Sequence, residues 1–280
     1  AATNIDGLSD AKSGGDNFSN SIIIGHQTTG TLNNANSNVA LGIDAMDEIT
    51  SGDGNTAIGY SSMTNVTSGN YNSAQGSWSL RDLSNGSYNA AYGNSSLRSV
   101  SSGNKNSGFG HSSAFRVSTG DFNVGLGFRS GDTISTGNNN VIIGAFADPS
   151  KNDASNQIVL GHRATGQADN SVTLGNADVT AIYMSEDKGA TVYAAALGFG
   201  STSMTLPTAD GSSDQVLKTN GSGTLSWGSA ATSVNGLSDA LVEDTGSMYV
   251  GNDPSSTTDA ADYNAAFGTT ALGAITTGDN

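Results

Sequence analysis

The sequence predicts an all-β fold: a parallel β-roll or solenoid of 17-residue coils, trimeric and interrupted by β connector modules. Three observations carry that prediction. Glycine recurs on a fixed 17-residue step, at Gly25, Gly42, Gly59, Gly76, Gly93, Gly110, Gly127, Gly144 and Gly161. Each of these glycines ends a short phrase such as NTAIG (55–59) or NSAQG (72–76), and the asparagine opening it recurs at Asn38, Asn55, Asn72, Asn89, Asn106, Asn123 and Asn140. The two residues before the glycine alternate in size, as two faces of a strand do. A short fixed period means that one structural unit is being stacked.

Within one coil, the residue before the glycine is large and apolar in eight of nine cases: Ile24, Leu41, Ile58, Tyr92, Phe109, Leu126, Ile143 and Leu160, with Gln75 the exception. One step earlier stand Ile23, Ala40, Ala57, Ala74, Ala91, Gly108, Gly125, Ile142 and Val159. A second apolar column lies seven residues after the glycine, at Leu32, Ile49, Val66, Leu83, Val100, Val117 and Ile134. This predicts two strand-like segments per coil, separated by turns of the Ser-Gly-Asn type, where a second glycine keeps the beat at Gly52, Gly69, Gly86, Gly103, Gly120 and Gly137. Such a coil is too short for a helix-containing repeat, and the apolar residues do not follow helical spacing. Parallel strands stack at about 4.8 Å, so nine coils would span on the order of 40 Å. The repeated asparagine reads either as a hydrogen-bonded ladder along the stack or as a turn residue. The Ala/Gly column invites close approach of another backbone, which suggests three chains associating along that face; the same pattern also permits a monomeric solenoid.

A longer repeat sets the domain boundaries. IDGLSDA (5–11) returns as VNGLSDA (234–240), and Gly25 and Gly42 match Gly251 and Gly268, both 226 residues later. The expected organisation is a connector at 1–20, a β-roll at 21–177, a β connector at 178–230, and the start of the next super-repeat at 231–280. Ahead of the second connector the 17-residue beat stops with a 14-residue step from Gly161 to Gly175, and β-rich stretches are expected at 181–184, 191–194, 216–218 and 224–227. The opening AATNIDGLSD, with neither Met nor a signal pattern, reads as part of something longer.

Composition narrows the function classes. Of 280 residues 38 are Gly, and only 12% are charged, a composition that without the repeat would read as low complexity. Stacked coils change that reading, because each buries its apolar side against the next. Ten Lys and Arg against 25 Asp and Glu give a net charge of -15, which argues against nucleic acid as a partner and against attraction to an anionic membrane. Cysteine is absent, so disulfides and thiolate metal sites are excluded. The longest apolar run, VYAAALGF (192–199), is far shorter than the roughly 18 residues of a membrane helix, so no membrane insertion is expected of this segment.

Candidate chemistry is sparse. His26, His111 and His162 share one phase of the repeat but lie five and three coils apart, too far to join in one intrachain site. A homotrimer could gather three copies of one of them about its axis; the alternative is a solvated turn residue. Asp53, Asp121, Asp132, Asp148 and Asp153 sit in turns, but neither the Gly-Gly-x-Gly-x-Asp calcium nonapeptide nor an EF-hand loop occurs. The glycines lack the Gly-Lys-Ser/Thr ending of a phosphate loop, and no nucleophile elbow is present. Tyr60, Tyr71, Tyr88, Phe122 and Phe128 could stack on sugar rings or pack against neighbouring coils. No catalytic, cofactor-binding or metal residue is therefore assigned.

SNVALG, GNTAIG and NSVTLG resemble the head repeats of YadA-like trimeric autotransporter adhesins, and NTAIGYSSMTNVTSG with the connector DGSSDQVLKTNGSGTLSWGS resembles the tail-fibre proteins of tailed bacteriophages. The resemblance implies a homotrimer of left-handed coils with an attachment role. The expected function is a rigid shaft segment of a phage tail fibre, located in the virion and carrying a receptor-binding tip toward the host cell surface. The alternative is a bacterial surface adhesin or extracellular filament. A polysaccharide-degrading solenoid enzyme is disfavoured by the lack of paired carboxylates.

Overall fold

The computed structural model describes residues 8–185, 191–192, 196–199 and 202–229, with the strand backbones at Ala240–Val242, Met248–Val250 and Ala265–Phe267. No helix occurs among them. The chain divides into two compact units, Ala1–Ile182 and Tyr183–Asn280.

The first unit is built on one 11-stranded sheet in strict chain order. Its strands are β1 (Ala11–Ser13), β2 (Ile22–Ile24), β3 (Val39–Leu41), β4 (Thr56–Ile58), β5 (Ser73–Gln75), β6 (Ala90–Tyr92), β7 (Ser107–Phe109), β8 (Val124–Leu126), β9 (Val141–Ile143), β10 (Gln157–Leu160) and β11 (Ser171–Leu174). From β2 to β10 every strand pairs in parallel with the one a single repeat further on, as in Ala57↔Ala74 and Gly108↔Gly125. The 17-residue period is thus the register itself. The 14-residue step does not end the stack: β11 pairs in parallel with β10, Ile158 opposite Val172. At the other end β1 folds back antiparallel on β2, Ala11 opposite Ile24, and Phe18, in the turn between them, is fully buried. Residues 11–13, expected in a connector, therefore belong to the sheet that starts the roll.

Three buried columns fill the roll. The small column before the glycine is one: Ile23, Ala57, Ala91, Ile142 and Val159 are fully buried, and Ala40 and Ala74 nearly so. The column seven residues after the glycine is the second, with Ile49, Val66, Leu83, Val100, Val117 and Ile134 at 0% exposure. A third was not expected: Met46, Met63, Leu80, Leu97 and Ala114, four residues after the glycine, are also at 0%. Where the strand column shrinks to Gly125 and this wall column to Gly131, a Cβ at Gly131 would stand 3.6 Å from the Ile142 side chain, which comes from the next coil. Large and small residues exchange along the stack while the space stays filled.

These positions correct two expectations. The Ala/Gly face, read as the surface for other chains, lies inside the coil. The column seven residues after the glycine is buried as expected but is no strand; each coil has a single strand of three or four residues. The wall opposite alternates residues of left-handed backbone with others, as at Asp44 and Met46, Ser61 and Met63, Trp78 and Leu80, and Ser95 and Leu97. Its amides still bond between coils, Met63 N–H to the Ser79 carbonyl (3.0 Å) and Ser61 N–H to that of Ile43 (2.9 Å), so the backbone is satisfied without a second strand.

In the second unit two antiparallel hairpins form, β12 (Ala196–Phe199) with β13 (Thr202–Thr205) and β14 (Gln215–Thr219) with β15 (Leu225–Ser229). The latter hairpin covers the β-rich stretches expected at 216–218 and 224–227. Residues 181–184 are not a strand; Ile182, Tyr183 and Met184 are exposed, and no neighbouring strand pairs with them among the described residues. Of 191–194, the described residues 191–192 are also outside any strand, and 193–194 lie outside the described residues. The last three strands repeat the opening of the first unit: β16 (Ala240–Val242) is antiparallel to β17 (Met248–Val250), which is parallel to β18 (Ala265–Phe267). Met248 opposite Ala265 is again a 17-residue register, so the super-repeat read from IDGLSDA and VNGLSDA is also a repeat of strand topology.

Candidate functional site

The repeated asparagines hold the stack together from within. Asn89 Nδ2 donates to Asn72 Oδ1 (3.0 Å) and to the Gly103 carbonyl (2.9 Å), and its backbone N–H donates to the same Asn72 oxygen (2.9 Å). Its own Oδ1 accepts the N–H (2.9 Å) and the Nδ2 (3.2 Å) of Asn106. The ladder runs from Asn38 to Asn140, and all seven side chains are buried. Of the two readings the sequence left open, the ladder is the one observed.

A second ladder runs the other way, two residues upstream. Asn36 N–H donates to Asp53 Oδ1 (2.6 Å), Asp53 N–H to Asn70 Oδ1 (2.8 Å), Asn104 N–H to Asp121 Oδ1 (2.6 Å) and Asp121 N–H to Asn138 Oδ1 (2.8 Å). Two of the five turn aspartates are thereby explained as rungs. Asp132 accepts from Arg129 Nε (2.7 Å), and Asp153 lies 3.5 Å from Lys151 Nζ. Asp148 accepts from the Thr133 amide (3.1 Å) and hydroxyl (3.0 Å); burial pushes its carboxyl above the ordinary range, against the lowering by those bonds. Among the described residues no group of three or more acidic or histidine side chains could hold a metal ion.

The outward side of the strands is where the roll meets its surroundings. Leu41 is 48% exposed, Phe109 40% and Leu126 45%; Ile24, Val39, Tyr92, Val172 and Leu174 are exposed as well. They form a largely apolar face from β2 to β11, interrupted at β5 by the exposed Gln75, on which Tyr92 and Phe109 lie flat on each other at 5.1 Å between ring centres. Comparisons with protein families, curated proteins and solved structures find no match. The reading of function therefore rests on the chain's own geometry.

The expected candidates fall into two further columns. Tyr71 and Tyr88 stack at 5.4 Å, and Lys105 Nζ stands 4.6 Å above the Phe122 ring. All four carry left-handed backbone, with φ between 55° and 62°. Past the phrase-ending glycines, Tyr60 meets Trp78, Phe128 meets His111 (5.2 Å) and Phe146, and Phe146 meets His162. The three histidines do not converge. His26 bonds instead to the Ala45 carbonyl (2.8 Å) and the Thr28 hydroxyl (2.9 Å). The aromatic residues thus pack from coil to coil. No helix among the described residues is long and apolar enough to cross a membrane.

Proposed function

We propose that this chain is a rigid shaft segment of a homotrimeric attachment fibre of the tail-fibre type, whose work is mechanical rather than catalytic. The observation that carries this reading is the exposed apolar face of the strands, repeated in register along the roll. Monomeric proteins rarely leave a large contiguous apolar surface to water, and an exposed one marks an association site. Because the face runs the length of the stack, three copies in parallel would meet it with the same face of their neighbours, a closed cyclic arrangement in which no residue needs a special partner. The interface is thereby moved from the Ala/Gly column to the column of Leu41, Tyr92, Phe109 and Leu126.

Stiffness follows from the interior. From Asn36 to Asn138 each coil is tied to the next by strand bonds and by two side-chain ladders of opposite direction, so bending requires breaking buried hydrogen bonds, each leaving groups that cost about 1–3 kcal/mol when unsatisfied. A spacer needs this property and an enzyme does not. The test is the solution mass of the chain by light scattering, before and after Phe109→Lys with Leu126→Lys. The expected result is three times 28.0 kDa for the unchanged chain and 28.0 kDa for the double variant, with β content retained in both. A monomeric unchanged chain would remove the trimer and with it the shaft.

A further inference from the structure

All five arginines of this acidic chain, Arg81, Arg98, Arg116, Arg129 and Arg163, stand two to six residues after a phrase-ending glycine. They neighbour the aromatic column Tyr60, Trp78, His111, Phe128 and Phe146, with Arg98 over the Trp78 ring and Arg129 and Arg163 over that of Phe146. A cleft of about 330 Å³ opens there, lined by His111, Phe115, Arg116, Phe128, Arg129 and Asp132. Two of its cations differ in state. Arg129 is held by Asp132 at 2.7 Å and is neutralised locally. Arg116 is exposed and makes no ion pair or hydrogen bond among the described residues. Next to it Phe115 is half-buried, with the Arg98 guanidinium 5.6 Å from its ring centre. Phe128 is 45% exposed and held by the His111 ring at 5.2 Å.

We infer that this cleft binds a carboxylate-bearing sugar residue. An unpaired guanidinium offers a planar fork that matches a carboxylate in two parallel hydrogen bonds. Fixed aromatic rings give a pyranose a surface for its apolar C–H face, and their orientation is already set by packing, so little entropy is lost on binding. The volume is at the small end of ligand sites, which fits one sugar ring rather than a larger molecule. A neutral sugar would use the rings and leave Arg116 idle. A carboxylate on a flexible chain, such as an acidic peptide side chain, would use Arg116 and leave the rings idle. Only a ligand with both features uses the whole cleft. The site is complete within one chain, so it does not rest on the trimer.

The test is saturation-transfer NMR on the full 280-residue chain with three probes: methyl glucuronide, methyl glucoside and N-acetylglutamate. Transfer to the glucuronide ring protons is expected at roughly millimolar affinity, with markedly weaker transfer to the other two. Arg116→Gln should weaken glucuronide binding on the order of tenfold, the loss of one charge-assisted bidentate contact. Phe128→Leu should weaken it as well, while Arg163→Gln should leave it unchanged; circular dichroism of each variant reports that the β-roll is retained. Equal transfer to the glucoside or to N-acetylglutamate would overturn the inference. So would no transfer to glucuronide, a signal that survives Arg116→Gln, or an equal loss in Arg163→Gln.

Discussion

At the scale of single residues, Asn89 shows how much one polar side chain can hold. It uses both amide hydrogens and accepts two bonds, none reaching water. Asn89→Ala would leave the Asn106 amide and the Gly103 carbonyl short of a partner, at about 1–3 kcal/mol for each group. From those two groups a loss on the order of 2–6 kcal/mol in chemical denaturation is expected, and a loss under about 1 kcal/mol would show that the ladder contributes little. The glycines separate sterics from backbone strain. At Gly103 an added Cβ would fall on the Gly120 carbonyl oxygen, whereas at Gly14 it meets nothing within 4 Å and only the φ of 60° resists it. Gly103→Ala should prevent that pair of coils from closing, and Gly14→Ala should cost only about 1 kcal/mol. Two carboxyls near the end of the roll have opposite signs in acid. Asp169 is held at about 2 against an ordinary 3.8, first by the Ser155 amide and then by Lys151 and Gln157. Its contribution is present above 3.8 and is lost as pH falls toward 2. Asp148 is raised, chiefly by burial, so its ionisation weakens the fold as pH rises through its folded value. Asp148→Asn keeps an acceptor for Thr133 and removes that charge. It should raise the melting temperature at pH 7 relative to the parent and leave it unchanged at pH 3; equal shifts at both would dismiss the burial argument.

At the scale of the element, the coil shows what could be read from the sequence and what could not. The period, the strand positions and the parallel register were all legible, because a strand written on a strict 17-residue beat with an alternating size pattern has one way to stack. Which face lies inside was not. Ala57 or Gly108 on a strand suggests an outer contact, yet a coil this short has so little interior that the strand side must be small for Met63, Leu80 or Leu97 to reach in from the opposite wall. The second strand expected at the column seven residues after the glycine is absent, although a signal for the wall that precedes it stands in the sequence. Its left-handed positions carry Met46, Met63, Leu80, Leu97 and Ala114, none of them β-branched, whereas the next buried column is mostly branched: Ile49, Val66, Val100, Val117 and Ile134. Branched side chains are strongly disfavoured at positive φ, so the division records the backbone. The cleft at Arg116 was not legible, because its residues come from two coils and share no motif. The opening turn carries a prediction of its own. Phe18 is fully buried against the first coil, and Phe18→Ala should cost about 3–5 kcal/mol. Hydrogen exchange should then quicken at Ile22–Ile24 and Val39–Leu41 and stay slow near Val124–Leu126; uniform quickening would mean that the roll opens as one unit instead of fraying from its cap.

At the scale of the whole molecule, the repeat of β1–β3 topology in β16–β18 shows that the chain's larger unit is also a structural one. Stability in such an array is close to a sum of coil terms and nearest-neighbour interfaces. The in-register ladder adds a stricter condition, since every buried column, both polar ladders and the outward apolar face share the 17-residue step. Removing residues 77–93 would join Gly76 to Asn94 and bring Ala74 opposite Gly108, Gln75 opposite Phe109 and Asn72 opposite Asn106, each keeping its column. Removing only 77–84 would instead set ladder asparagines beside wall residues and turn apolar side chains out of the core. The 17-residue deletion should therefore fold with the parent's circular dichroism shape and a single, slightly lower melting transition. The eight-residue deletion should lose cooperative melting. If both deletions melt alike, the coils are held by local turns rather than by stacking, and the stiffness that the proposed shaft role requires has no source in the ladders.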